Sequence, residues 1–213
     1  MSVELLYIHD PMCSWCWGFR PCYQHLKQLL PADISIKRLV GGLAPDSAEP
    51  MPQATRQMVM DNWKRIQQKI PGTRFNYDFW TRCEPRRSTY PACRAVIAAR
   101  GQGAEYDEAM TLAIQQAYYL HAQNPSDDAV LMACADSIGL DTVAFEQEYF
   151  SASCAQRLRE EIAWCRSIGA DSFPSLALQA GSSRWWIDLN YTDARAMHAQ
   201  ICELLGPGAN DEE

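Results

Sequence analysis

The sequence predicts an α/β protein in which a strand–helix–strand unit and a strand–strand–helix unit flank a long block of helices. Residues 3–8 form a short apolar run that is typical of a buried strand. A helical pattern and a second strand pattern follow it before Gly41. Two strand patterns and one helical pattern return after Asp171. In the segment between these two units, apolar residues recur with the spacing that is typical of helices.

The N-terminal unit is bounded by clear breakers. Apolar residues recur at steps of three and four from Phe19 to Leu30, and Pro31 ends this helix. The second strand, residues 34–40, ends at a pair of glycines. The two strands and the helix together make a βαβ unit.

The rest of the chain is predicted as a helical block followed by a hairpin and a helix. A loop at 44–52, rich in Pro, Asp, Ser and Glu, leaves the βαβ unit. Apolar periodicity then predicts six helices, over about residues 54–70, 89–100, 104–122, 126–138, 141–150 and 152–168. Strand patterns at 175–179 and 185–189 predict the hairpin, and the last helix spans about 192–205.

The composition and the net charge disfavour several classes of function. Of the 213 residues, 47% are hydrophobic, which suffices for a core in one enlarged domain or two packed ones. The 19 basic and 26 acidic residues give a net charge of -7, which disfavours nucleic acid and anionic membranes as partners. Charged residues interrupt every candidate membrane span, and the N-terminal strand leaves no room for a signal peptide, so we expect a cytoplasmic protein.

The nine cysteines lie at positions 13, 16, 22, 83, 93, 134, 154, 165 and 202. An odd number of cysteines scattered along the chain does not favour a framework of structural disulfides. Most of them are therefore expected to be free thiols that pack as small apolar residues. Cys22 is predicted to lie in the core. Cys83 and Cys93 flank two arginines and could form a second redox pair, although free thiols are favoured.

Cys13 and Cys16, in the segment Cys-Ser-Trp-Cys, lie where the first strand passes into the first helix. In this βαβ context a CxxC pair predicts redox chemistry. A zinc site is the alternative, with Cys22 and His25 as the candidate second pair of ligands. These two residues lie on the same predicted helix, about two turns from the CxxC pair. A single straight helix cannot place all four side chains around one ion. We therefore expect a redox-active dithiol without a metal or a bound cofactor.

The chemistry predicts different roles for the two cysteines. A thiolate attacks a disulfide, and a helix N-terminus stabilises negative charge by at most about 2 kcal/mol. Cys13 is predicted to be the exposed nucleophile, with further stabilisation from backbone N–H groups of Trp15 and Cys16. Cys16, one turn inward, is predicted to resolve the mixed disulfide, because a two-residue spacer keeps the sulfurs within bonding distance. Ser14 and Trp15 are expected to contact the substrate and tune the redox potential.

A second motif, at residues 172–175, places Phe173 and Pro174 directly before the third strand. Alone it predicts only a proline at a strand entry. Combined with CxxC after the first strand, it resembles the thioredoxin superfamily, and the helical block resembles the DsbA-like branch. Four segments are similar to the cytosolic FrnE-like proteins, often labelled protein disulfide isomerases: PMCSWCWGF (11–19), GGL (41–43), YPACRAVIAA (90–99) and SFPSLAL (172–178).

The resemblance implies a thioredoxin-like fold with a central mixed four-stranded sheet and a large all-helical insertion. The thioredoxin-like domain would comprise residues 1–45 plus 152–213, and the insertion residues 46–151. The resemblance also implies that Pro174 is cis and faces Cys13, while the backbone of Phe173 pairs with an extended substrate segment. Such pairing is β-strand addition, which tolerates many peptide sequences.

The sequence departs from the family pattern at one position. Many thioredoxin-fold enzymes carry a buried acid on the first strand, six residues before the first cysteine, where this chain has Tyr7. Proton transfer from Cys16 is therefore unassigned. His9 and Asp10 are the nearest titratable residues, and in a loop such residues are more often solvated or hydrogen-bonded than catalytic.

We therefore expect a thiol–disulfide oxidoreductase acting on protein or peptide thiols and disulfides, with glutathione as a further candidate co-substrate. Two alternatives stay open. A glutathione-dependent transferase or isomerase of the kappa-class type shares the insertion topology, but usually activates glutathione with a serine and lacks the cysteine pair. A non-enzymatic metal-binding or chaperone-like module would use the helical groove.

Overall fold

The computed structural model describes residues 3–206 and contains one sheet with helices packed on both faces. The strands are β1 (Val3–His9), β2 (Ile34–Val40), β3 (Ser175–Ala180) and β4 (Ser183–Ile187). The helices are α1 (Ser14–Leu29), α2 (Gln53–Lys69), α3 (Phe79–Arg82), α4 (Tyr90–Arg100), α5 (Glu105–Tyr119), α6 (Asp128–Ser137), α7 (Thr142–Tyr149), α8 (Ala152–Ser167) and α9 (Ala194–Leu205).

The sheet has the strand order β2-β1-β3-β4, with β1 parallel to β2 and the other pairs antiparallel. The predicted mixed α/β fold is thus confirmed. Because β1 is central, its side chains are buried on both faces: Leu5 and Tyr7 pack with α1 and α9, while Leu6 and Ile8 pack with the end of α8. This double burial explains the unbroken apolar run at the N-terminus.

The helices between β2 and α8 form their own apolar cluster. Trp63 of α2 is fully buried at its centre and stacks on Phe75 with ring centroids 4.7 Å apart. Helix α8 contributes to this cluster through Leu158 and Ile162, and to the sheet cluster through Cys165. The division of the chain into residues 1–45 plus 152–213 and an insertion at 46–151 stays a prediction.

Three elements differ from the prediction. Helix α3 is missing from it, because a single turn is too short to show apolar periodicity. Strand β4 begins two residues before the predicted start at Trp185, directly after a tight turn. Helix α9 begins at Ala194 because the side chain of Asp193 caps it, accepting hydrogen bonds from the N–H groups of Arg195 and Ala196.

A buried ion network connects the sheet to the helices. Asp107 of α5 binds Arg38 of β2 through one carboxylate oxygen and Arg100 of α4, at 2.6 Å, through the other. Arg100 also binds Glu161 of α8 at 2.9 Å, and Glu161 accepts a hydrogen bond from the backbone N–H of Val40. One strand, β2, and three helices, α4, α5 and α8, are thereby held in one arrangement.

Within residues 3–206, no helix combines the length and the apolar character that a membrane span requires.

Candidate active site

The cysteine pair lies at the junction of β1 and α1. A turn closes with a hydrogen bond from the Cys13 N–H to the carbonyl of Asp10 at 3.0 Å. Cys13 has extended backbone geometry at the N-cap, and its carbonyl accepts the N–H of Trp17 at 3.1 Å, so the helix begins at Ser14. The Cys13 side chain therefore lies at the positive end of the α1 dipole, as predicted.

Cys16 lies one turn further along and is completely buried. Burial raises the pKa of the Cys16 thiol well above its usual value, and a hydrogen bond with Cys13 raises it further. Cys16 is therefore held as a thiol. The roles assigned to the two cysteines stay a prediction.

The prediction of an exposed Cys13 is wrong, because this residue is only 6% exposed. Its side chain opens into a cavity of about 310 Å³ that is formed with the helical block. The apolar residues of this lining are Met12, Leu43, Met51, Met58, Val59 and Tyr118. Only a small molecule or an extended segment can therefore approach the sulfur.

The Phe-Pro motif lies against Cys13. The Cys13 thiol donates a hydrogen bond to the carbonyl of Phe173 at 3.3 Å, and the Phe173–Pro174 peptide bond is cis. Gly41 makes this approach possible, since a Cβ atom there would lie 1.9 Å from the Phe173 ring. The glycine pair after β2 therefore serves the site as well as ending the strand.

The structure places the other predicted residues around the same cavity. Ser14, Trp15 and Phe173 line it together with Cys13, whereas Cys16 and Pro174 are buried behind it. Trp15 packs edge-on against Tyr191, with centroids 5.2 Å apart. Three of the five predicted site residues besides Cys13 thus line the cavity, and the other two are buried next to lining residues.

Asp10 is the residue whose importance the sequence analysis missed. It is completely buried, and its carboxylate accepts hydrogen bonds from the backbone N–H groups of Met12 at 2.8 Å and Leu43 at 2.7 Å. It also accepts from the hydroxyl of Thr89 at 2.6 Å and the thiol of Cys93 at 3.5 Å. Asp10 therefore ties the cysteine turn to the end of β2 and to α4.

Burial raises the pKa of Asp10, while the hydrogen bonds from Thr89, Leu43 and Met12 oppose this effect. Its negative charge is one cause of the raised pKa of Cys16. The loop prediction is wrong for His9, which ends β1, whereas Asp10 lies in the loop and is hydrogen-bonded; both are completely buried. The only available signal was the position of an acid three residues before the first cysteine.

His9 and Tyr7 form a second buried layer behind the cysteines. Tyr7 stacks on His9 with centroids 5.0 Å apart, and burial together with Cys16 raises the pKa of Tyr7. Burial and the charge of Arg38 hold the pKa of His9 well below its usual value. His9 is thus neutral, and its Nε2 lies 3.2 Å from the Arg38 guanidinium, which can only donate.

All nine cysteines are free thiols in the structure. The predicted burial of Cys22 is confirmed, and its thiol donates to the carbonyl of Asn190 at 3.1 Å. Cys83 donates to the carbonyl of Ala122 and Cys93 to Asp10, so these two do not bond to each other. In the part of the chain described, no three His, Cys, Asp or Glu side chains are grouped so as to hold a metal ion.

A larger cavity of about 610 Å³ lies beside α1 and includes neither cysteine of the motif. Trp17, Cys22 and Tyr191 are among its lining residues. Burial raises the pKa of Cys22 to about 11, so this thiol is not poised for nucleophilic attack.

A family model described as Thioredoxin matches residues 6–184. The chain belongs to the thioredoxin family. The match includes the second half of β1, both cysteines of the motif, the whole helical block and the Phe173–Pro174 motif.

Two solved structures resemble this thioredoxin-family protein over nearly its whole length. A candidate protein disulfide isomerase from Nitrosomonas europaea has a TM-score of 0.84 and 26% identity, covering 96% of this chain and 98% of that one. The cytosolic disulfide reductase DsbM from Pseudomonas aeruginosa has a TM-score of 0.76 and 24% identity, covering 95% and 98%. The predicted thioredoxin-like fold with a DsbA-like helical insertion is confirmed.

The curated relatives are named as adapter proteins and not, like the two solved structures, as disulfide isomerase or reductase. The ClpXP adapter protein SpxH from Halalkalibacterium halodurans is 24% identical over 177 residues, which is 81% of this chain and 57% of that protein. The chain thus spans little more than half the length of the curated relatives that head the comparison.

Replacement of Asp10 by asparagine is expected to shift Cys16 ionisation to lower pH, because it removes a negative charge that raises the pKa of Cys16. The measurement is the ultraviolet absorbance of the thiolate as a function of pH, in a Cys13→Ser background so that Cys16 titrates without its partner. Asp46→Asn, which alters an exposed carboxylate, serves as the control. An unchanged or higher titration midpoint would contradict the electrostatic role of Asp10.

Proposed function

We propose that this chain is a thiol–disulfide oxidoreductase in which Cys13 attacks and Cys16 resolves. The observation that carries the proposal is the placement of the two sulfurs. Cys13 lies at a helix N-terminus and opens into a cavity, while Cys16, one helical turn further along α1, is completely buried. One sulfur can reach a substrate, and the other can reach only the first sulfur.

The reaction proceeds by two exchanges. The Cys13 thiolate attacks one sulfur of a substrate disulfide, so that the substrate S–S bond breaks, a mixed disulfide forms and the first substrate thiolate leaves and takes up a proton. Cys16 then loses its proton and attacks the Cys13 sulfur. The second substrate thiol departs, and a Cys13–Cys16 disulfide remains. The reverse sequence oxidises a pair of substrate thiols.

Phe173 and Trp15 are proposed to hold the substrate. The motif around Phe173 borders the cavity next to Cys13, where its backbone would pair with an extended segment. Protein or peptide disulfides are the proposed substrates. Glutathione is a proposed co-substrate, in keeping with the structure of DsbM that was solved with GSH.

The finer assignments are part of the same proposal. The closer likeness to FrnE-like proteins, an isomerase activity and a cytoplasmic location rest on the motifs and on the resemblance that they carry. The absence of a resident metal or cofactor is likewise proposed from the chemistry of the dithiol, which needs none.

The test is a stoichiometric reaction of pre-reduced protein with a small disulfide. We expect each chain to consume one disulfide molecule, release two thiols and form a Cys13–Cys16 bond that peptide mass spectrometry identifies after rapid alkylation of the remaining thiols. Cys202→Ser, which alters a partly exposed thiol on α9, should behave like the wild type. Formation of a bond between any other pair, or of none, would refute the assignment.

A second candidate function is that of an adapter, favoured by the name of the curated relatives. An adapter would present a binding surface and would need no sulfur chemistry. The double variant Cys13→Ser/Cys16→Ser separates the two, because partner binding would survive in an adapter while disulfide exchange would be lost. A glutathione transferase of the kappa-class type would instead retain activity in Cys16→Ser.

A further inference from the structure

Two neighbouring arginines line the Cys13 cavity, and only one of them is paired. The Arg86 guanidinium binds the Asp127 carboxylate and the carbonyl of Ser126. Arg87 is half-buried and has neither an ion pair nor a side-chain hydrogen bond within residues 3–206. A guanidinium carries five N–H donors and no acceptor, so an unpaired arginine at the edge of a cavity can bind an anionic ligand there.

The guanidinium of Arg87 lies close to the walls of the cavity. Burial raises the pKa of Tyr118, another lining residue, and the positive charge of Arg87 acts in the opposite direction. The acid of the lining, Asp171, is exposed and forms no ion pair with Arg87 in the described part of the chain. Water screens such an exposed charge, so Asp171 leaves Arg87 available for a ligand in the cavity.

The size of the cavity limits which molecules can bind next to Arg87. A volume of about 310 Å³ lies at the lower end of the range for small-molecule sites, about 300–1,000 Å³. Cys13 is 6% exposed, which keeps the surface of a folded protein away from its sulfur. Met51 and Met58 give the cavity an adaptable apolar wall for a thioether-like or alkyl chain.

Building on the proposed function, we infer that Arg87 is a specificity residue that pairs with a carboxylate of a small disulfide substrate. A planar guanidinium and a carboxylate form two parallel hydrogen bonds, which position the ligand as well as attract it. The inference thus adds to the peptide disulfides a further substrate class, low-molecular-weight disulfides that bear a carboxylate near the S–S bond. In the reaction, Cys13 and Cys16 are oxidised to a disulfide while the substrate disulfide is reduced to two thiols.

The test compares two small disulfides that differ in charge: the disulfide of mercaptopropionate, a dicarboxylate, and the disulfide of mercaptoethanol, which is neutral. Pre-reduced protein is mixed with each, and the rate of Cys13–Cys16 bond formation is followed by alkylation and mass spectrometry. Arg87→Gln is expected to react about tenfold or more slowly with the dicarboxylate, since a charged hydrogen-bonding partner is lost, and at an unchanged rate with the neutral disulfide.

Two further measurements sharpen the comparison. Added salt should slow the wild type with the dicarboxylate but leave Arg87→Gln unaffected, because screening weakens an ion pair. Arg87→Lys, which keeps the charge but not the planar fork, should lie between the two. Arg82→Gln changes an exposed arginine of α3 outside the cavity and should match the wild type with both disulfides.

The outcomes distinguish this inference from the proposed function. Equal slowing of both disulfides by Arg87→Gln, or slowing of neither, would overturn the role of Arg87 while leaving the oxidoreductase intact. A wild-type protein that reacts with neither disulfide would overturn the proposed function and this inference with it. The unchanged rate with the neutral disulfide also shows that the variant is folded.

Discussion

A Cys16→Ser variant is expected to accumulate a stable mixed disulfide between Cys13 and its substrate. In the wild type, the buried Cys16 thiol lies in hydrogen-bond contact with the Cys13 sulfur, so the mixed disulfide is broken as soon as Cys16 ionises. A serine hydroxyl cannot attack a disulfide. The first exchange then goes to completion and the second does not occur, which converts a transient species into the main product.

The measurement is capture of a disulfide-containing peptide under native conditions, followed by mass spectrometry that locates the bond on Cys13. The double variant Cys13→Ser/Cys16→Ser should capture nothing, because the attacking sulfur is gone. Cys22→Ser added to Cys16→Ser is the matched control, since Cys22 is a buried thiol of the same helix outside the site. A mixed disulfide found on any cysteine other than Cys13 would be incompatible with the assigned roles.

Replacement of Asp107 by asparagine is expected to lower the free energy of unfolding by about 3–5 kcal/mol, the usual cost of removing one partner from a buried ion pair. The Asp107 side chain is 4% exposed and lies between the guanidinium groups of Arg38 and Arg100. An amide cannot neutralise either arginine, and its NH₂ group would face one of them. The two buried cations would then repel each other without compensation.

Urea denaturation followed by tryptophan fluorescence measures this loss, with the slope of the transition checked for a change in cooperativity. Asp61→Asn is the control, because Asp61 makes an exposed pair with Lys64 on α2 and its removal should leave the midpoint unchanged. A midpoint for Asp107→Asn that equals that of the control would mean that the network does not hold the helices against the sheet.

The elements that could be predicted are those whose signals are local. The apolar run of β1, the helical period after Phe19 and the strand pattern of β3 each depend on residues close together in the chain, and all three appear in the structure. Helix α3 was missed because one turn has no period to detect. The dithiol and the Phe173–Pro174 motif were likewise visible because each occupies a few consecutive positions.

Exposure and charge balance could not be predicted in the same way. Cys13 was expected at the surface, but the cavity around it is made by residues from α2, α5 and the loops before α4 and β3. Asp10 was expected to be a solvated or hydrogen-bonded loop residue, but its sequence position did not reveal that donors at positions 12, 43, 89 and 93 surround its buried carboxylate. Such surroundings exist only after distant segments pack.

The amino-acid sequence alone determined the order of elements, the pair of cysteines at a strand-to-helix junction and the proline motif that follows the helical block. Tertiary structure decided which sulfur borders the cavity, which acid is buried and which of two adjacent arginines pairs with Asp127. The physical reason is that hydrophobic periodicity and motif spacing act over a few residues, whereas desolvation and ion pairing depend on side chains brought together from across the chain.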